Sequence, residues 1–262
     1  MLSYPTFDPI ALQLGPLAIR WYSLAYIGGI LLGWWLILRE LKRWPLEGLS
    51  KKAIDDMVVY AVLGIILGGR LGYCLFYKPD HYLSHPLEIL HVWEGGMSFH
   101  GGFAGFVLAF WLFCRRYGVR FLALMDLMAC VAPIGIGLGR LANFINGELW
   151  GRVTTSPLGM IFPNSGGLPR HPSQLYEFAL EGLLLFMVMM FLLKFTRLRA
   201  RVGALAGIFC IGYACARILC EFFREPDAFL GFLFAGATMG QLLSLPMLAI
   251  GIFLVVRAKC AD

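Results

Sequence analysis

Charge is scarce in this chain. Of its 262 residues only 15% are charged while 59% are hydrophobic, against roughly 25% charged in soluble domains. With a mean hydropathy of +0.74, that excludes an ordinary soluble domain and makes an integral membrane protein. The seven cysteines include no Cys-x-x-Cys pair. Cys74, Cys114, Cys130, Cys210, Cys215 and Cys220 fall in apolar runs and Cys260 in the C-terminal tail, so they read as small apolar residues without structural disulfides. There is no Gly-x-Ser-x-Gly elbow, no phosphate-binding Gly-Lys-Ser loop and no internal repeat. Asp8, Pro9 and Pro16 precede the first apolar run in place of a basic leader, and no signal peptide is expected.

What is present in quantity is apolar length. Seven stretches reach, or nearly reach, the ~20 residues that cross a hydrocarbon core. They lie near 20–38, 57–77, 97–114, 122–144, 176–194, 203–223 and 236–256. The expected fold is an all-α polytopic membrane protein of seven transmembrane helices, one domain over 1–262. Basic residues alternate between its connections: Arg39, Lys42, Arg43, Lys51 and Lys52 in the first; Arg115, Arg116 and Arg120 in the third; Lys194, Arg197, Arg199 and Arg201 in the fifth; Arg257 and Lys259 after the last span. By the positive-inside rule the N-terminus is periplasmic and the C-terminus cytoplasmic. The net charge of +6 is then topology, and no nucleic acid partner is implied.

Arg70, Arg140 and Arg217 lie inside spans, where ionisable groups are costly and mark function. At ~1.5 Å rise per residue all three fall toward the outer leaflet. Ser98, His100, Tyr22, Tyr26, Tyr176, Glu177 and Gln241 fall on that side too, and one polar chamber would collect them. Arg20 and Lys78 read as snorkelling residues. Tyr213, Arg217, Glu221 and Arg224 share one helical face. An Arg217–Glu221 ion pair accounts for part of that stripe, yet a paired guanidinium keeps spare donors suited to phosphate oxygens. The densest polar run is Gly139-Arg140-Leu141-Ala142-Asn143-Phe144-Ile145-Asn146-Gly147-Glu148-Leu149-Trp150-Gly151, at the end of an apolar helix.

Gly64, Gly68 and Gly72, Gly101 and Gly105, and Gly135 and Gly139 repeat at four-residue spacing, a pattern that lets helices approach closely in a bilayer. Pro133 and Pro246 are expected to kink their helices. The long connection at 146–175 reads as a small periplasmic cap of turns and short strands. In the 78–96 connection His81, His85 and His91 lack the carboxylate arrangement of a metalloprotease helix motif, so they read as surface or interfacial histidines and no metal site is expected.

With these residues assembled, the chain resembles the prolipoprotein diacylglyceryl transferase family over nearly its full length. The resemblance is carried by Arg20-Trp21-Tyr22, by Leu67 through Tyr73, by Trp93 through Gly102, and by Gly139 through Arg152. It continues in Leu168-Pro169-Arg170-His171-Pro172-Ser173-Gln174-Leu175-Tyr176-Glu177 and in Glu221 through Asp227. Ala142 stands where the family often has glycine, and the segment before Leu168 is shorter than in some members. The resemblance implies an inner-membrane enzyme without a cofactor. It would move the diacylglyceryl group of phosphatidylglycerol to the lipobox cysteine of a prolipoprotein signal peptide, the first step of lipoprotein maturation.

That chemistry assigns roles. Expelling glycerol phosphate needs charge stabilisation, for which Arg140 and Arg217 are the candidates. The acceptor thiol must lose a proton, and His100 carries the side chain whose ordinary pKa lies nearest neutrality; orienting phosphate is its other reading. Asn143, Glu148 and Gly151 are expected to shape the headgroup site. Tyr22, Arg70, Tyr73, Glu221 and Arg224 are expected to support it or to contact lipid. A lipid transporter or flippase, using polar groups such as Asp126 toward the cytoplasm, and a non-catalytic lipid-binding subunit are the other classes that fit.

Overall fold

The computed structural model describes residues 2–5, 7–15, 17–163, 165–226, 231–233 and 236–258; Pro16, Asp227, Lys259 and Cys260 lie outside the described residues. Every expected apolar stretch coincides with a helix. In chain order these are α1 (Trp21–Arg43), α2 (Lys51–Phe76), α4 (Phe99–Tyr117), α5 (Phe121–Ile145), α6 (Ser173–Phe195), α7 (Ala204–Glu221) and α8 (Met239–Arg257), with the short α3 (Pro79–Ser84) in the connection after α2. Six of them (α1, α2, α5, α6, α7 and α8) are long and apolar enough to cross a membrane, so the chain is a multi-pass membrane protein. The third expected span, α4, is not among the six. It carries His100 in its first turn and Arg115 and Arg116 in its last, which shortens its apolar run.

Helices outrun hydropathy at their charged ends. α1 continues through Arg43, and α2 begins at Lys51, ahead of its apolar run, because Ser50 accepts the Ala53 N–H at 3.1 Å. Before α1 stands an antiparallel hairpin, β1 (Ile10–Leu14) with β2 (Leu17–Arg20). The sequence reading passed over it, although apolar alternation around Gly15-Pro16 is its signal.

Contacts divide the chain into two compact units, Met1–Ile37 with Met125–Asp262, and Leu38–Leu124. In the second, the expected glycine seam joins α2 to α4. A Cβ at Gly72 would come 2.7 Å from the Gly101 Cα, and one at Gly68 2.7 Å from the Gly105 Cα, so only glycine permits the packing. In the first unit, Gly29 on α1 meets Gly135 on α5, where a Cβ would stand 3.0 Å from the Gly135 Cα. Gly139 does not extend that seam, since a Cβ there meets nothing within 4 Å. The closer approach is one the four-residue spacing missed: a Cβ at Gly182 on α6 would lie 2.6 Å from the Gly137 Cα. Ala129, Cys130, Leu185, Met189, Leu193, Leu205 and Ala206 fill the core among α5, α6 and α7. Asp126 caps α7 from α5, its two carboxylate oxygens accepting Gly203 N–H at 2.6 Å and Ala206 N–H at 2.7 Å.

The connection from α5 to α6 is built of turns and isolated bridges among the described residues, where short strands were expected. Val153 and Met160 each bridge to Arg170, and Met160 also to Leu2. Phe144, Met160 and Phe162 form a small core beneath it with Tyr4, Trp150 and Leu175.

Candidate active site

The Gly137–Gly182 approach brings the last turns of α5 against the middle of α6, one residue from Glu181. Arg140 on α5 donates from Nε and Nη2 to Glu181 Oε2 at 3.1 and 2.9 Å, and its Nη1 lies 3.1 Å from Glu177 Oε2. From α7, Arg217 Nη1 lies 2.9 Å from Glu177 Oε1 and 3.5 Å from Glu181 Oε1, while Nη2 pairs with Glu221. Arg224 adds Nη1 at 3.2 Å from Glu177 Oε1. Three guanidiniums thus converge on three carboxylates. Charges taken out of water persist when paired in this way.

The network is not sealed. Glu177 and Glu181 have no exposed side-chain surface, whereas the Arg140 and Arg217 side chains remain 17% and 14% exposed. A guanidinium has five N–H donors, and Arg140 commits three to these carboxylates, so part of its fork stays available to a ligand. Glu177 was expected in a polar chamber with the arginines, though not as their carboxylate partner, and Glu181 was omitted. A carboxylate within an apolar span was the available signal. Residues Phe178–Leu184 wind as a π-helix, a geometry that recurs at functional sites.

Two expected residues set the rim. Glu221 is held from the other side by the Thr238 hydroxyl, which donates to Oε2 at 2.6 Å. Thr238 also caps α8 in a reciprocal box with Gln241, so the carboxylate faces the favourable end of the α8 dipole. Gly151 sits where a Cβ would come 2.7 Å from the His171 Cβ. It donates to the His171 carbonyl at 2.8 Å and bridges to Arg224. Arg152, which ends the Gly139–Arg152 motif, caps α7 by donating to the Arg224 and Glu221 carbonyls at 2.9 and 3.0 Å.

Asn143 and Asn146 both donate to Glu148 Oε1, at 3.0 and 3.2 Å, closing the end of α5. Gln174 Nε2 donates to the Glu148 carbonyl at 2.7 Å. Leu149 holds φ at 58°, the left-handed region, while Ser173 donates to its carbonyl at 3.1 Å. His171 Nδ1 lies 3.2 Å from the Tyr176 hydroxyl and packs on Phe223, and burial holds its pKa below the ordinary histidine value. Tyr22 stacks edge-on with Tyr26 on α1, ring centroids 5.1 Å apart; among the described residues it makes no hydrogen bond to the network.

Arg70, Tyr73 and His100 belong to the second unit. Arg70 is 3% exposed and donates to backbone carbonyls of Glu88 at 2.6 Å, Ile89 at 2.9 Å and Gly95 at 2.6 Å. The Tyr73 ring fills the space a side chain at Gly96 would need, with a Cβ there 2.6 Å from the ring. His100 is exposed on the first turn of α4, which is capped by Ser98 accepting the Gly101 N–H at 3.2 Å.

Sequence comparison places the chain among known proteins. The family model described as prolipoprotein diacylglyceryl transferase matches residues 9–257. A phosphatidylglycerol–prolipoprotein diacylglyceryl transferase of Methylocella silvestris is 55% identical over 98% of this chain and 96% of its own. The Nitrobacter winogradskyi protein of that name is 53% identical over 98% and 90%, and the Allorhizobium ampelinum one 54% over 100% and 93%. A family match over residues 9–257, with relatives more than half identical over nearly the whole chain, makes the chain a member of the prolipoprotein diacylglyceryl transferase family.

Proposed function

We propose that this chain transfers the diacylglyceryl group of phosphatidylglycerol to the lipobox cysteine thiol of a prolipoprotein signal peptide. The setting is the bacterial inner membrane, with seven spans, the N-terminus periplasmic and the C-terminus cytoplasmic. The single domain 1–262, capped at about 146–175, works at the periplasmic leaflet. The cysteine thiolate attacks the glyceryl carbon that bears the phosphate. A C–S bond forms, the C–O bond breaks, and glycerol phosphate leaves with the electron pair. His100 takes the thiol proton. The observation that carries the reading is the Arg140–Arg217 pair, oriented by Glu177 and Glu181 and still partly exposed, poised to hold phosphate oxygens as negative charge grows. Asn143, Glu148 and Gly151 fix the segment beside it, Tyr22 meets lipid, and Arg70 and Tyr73 hold the 88–96 loop. A transporter reading loses its cytoplasmic polar step, because Asp126 is spent capping α7.

Purified protein given phosphatidylglycerol and a lipobox peptide should form the thioether and release glycerol phosphate, and a peptide with serine for the cysteine should not react. His100→Gln should lose most turnover at neutral pH and keep phosphatidylglycerol binding. Raising the pH toward about 8.5, where a free cysteine ionises, should restore part of the rate. Lost lipid binding without pH rescue would move His100 from proton acceptor to headgroup contact.

A further inference from the structure

His81, His85 and Glu88 face one another across the 78–96 connection, a grouping hidden in sequence because the carboxylate follows the histidines outside any metalloprotease helix motif. Their ligand atoms all lie within 4.8 Å of one another. His81 Nε2 is 2.6 Å from Glu88 Oε2, and the two imidazoles stack with centroids 5.1 Å apart. We propose that these three residues form a binding site for a divalent transition metal ion of the Zn²⁺ class.

The backbone supplies the preorganisation. His85 N–H donates to the His81 carbonyl at 2.9 Å and Glu88 N–H to the His85 carbonyl at 3.1 Å, so the three ligands follow on successive turns. The Glu88 carbonyl is itself clamped by buried Arg70 at 2.6 Å. His85 Nδ1 lies 3.3 Å from the His81 carbonyl. An Nδ1–H directed there leaves Nε2 as the lone-pair donor, the pattern by which an outer partner fixes a metal-binding imidazole. In a tetrahedral site with bonds of ~2.0–2.1 Å, ligand atoms stand ~3.3 Å apart. An ion therefore opens the His81–Glu88 contact slightly and draws His85 inward, within reach of exposed rotamers. Two imidazoles and a carboxylate suit Zn²⁺ and its neighbours and leave a coordination position open to water. A bound ion would clip α3 to the turn that Arg70 buttresses.

The test is metal binding by the full-length, tag-free protein in detergent after chelator dialysis, titrated with Zn²⁺ against a chromophoric chelator. One ion per chain is expected. His81→Ala/His85→Ala should weaken binding by at least the roughly 100-fold that loss of a metal site's outer partner can cost. Glu88→Gln, which keeps the side-chain shape, should weaken it by about tenfold or more, and His171→Ala should leave it unchanged. Co²⁺ in place of Zn²⁺ should give visible d–d absorption in wild type and lose it in the double variant. Absence of stoichiometric binding in wild type, or wild-type affinity in the double variant, overturns the site.

Discussion

Arg70 and the Arg140–Arg217 pair are the same residue type within apolar helices, and they are satisfied in opposite ways. Arg70 faces backbone carbonyls, which are neutral, and it is almost wholly enclosed. Its positive charge is met by carbonyl dipoles and by the face of the Tyr82 ring, 5.2 Å away, and its donors fix the shape of a loop. Arg140 and Arg217 face carboxylates, which cancel their charge and hold their planes while leaving them partly exposed. A carbonyl clamp makes an arginine structural. A carboxylate cradle orients one and still lets it meet a further anion.

The largest expected effect breaks the cradle. Arg140→Lys and Arg217→Lys keep the charge and lose the planar fork, so turnover of phosphatidylglycerol should fall by about 10²–10³-fold, the scale of losing an oxyanion donor. Gel filtration should still show folded protein. Turnover near wild type in either lysine variant would mean that a point charge suffices. Breaking the clamp should register in stability instead. Arg70→Met leaves the Glu88, Ile89 and Gly95 carbonyls without their donor, at about 1.5–3 kcal/mol, the scale of losing a hydrogen bond to a charged group. A lowered Tm with faster hydrogen exchange at 88–96 is expected, and an unchanged melt would mean that the clamp does not stabilise the fold. The smallest effect is at the rim. The folded pKa of His171 lies below its unfolded value of about 6.5, so as pH falls through that value the unfolded chain takes the proton first and stability declines. Above it the contribution is flat. Unfolding measured from pH 7 to pH 5 should show a slope that His171→Gln reduces; equal slopes would assign it to other groups.

Helix positions were legible because lipid solvent imposes one strong rule, apolar length. The charged helix ends were not, since hydrogen bonding continues past Arg39 and begins before Met57. The α2–α4 seam was readable from Gly64, Gly68, Gly72, Gly101 and Gly105, whereas Gly137 and Gly182 meet as single glycines on different helices, with no internal spacing to announce them. The Arg217–Glu221 pair follows from helical periodicity and was foreseen. Glu181 was not, because its partners come from elements distant in sequence. Glu88 is close in sequence to His81 and His85 and was hidden for another reason: α3 ends at Ser84 and a separate turn starts at Pro86, so no single helical period aligns the three.

The π-helical stretch Phe178–Leu184 separates Glu177, aimed at the arginines, from Met189 and Leu193, buried in the core. An α-helix turns by about 100° per residue. Removing one residue from this stretch would therefore change the angular phase between its two ends far more than its length. Either the carboxylate would leave the arginines or the apolar side chains would leave the core. The number of residues between Glu177 and Leu185 acts as a phase setting for α6, and a single deletion there is expected to be harsher than many substitutions. A compensating insertion on the same stretch should restore the phase.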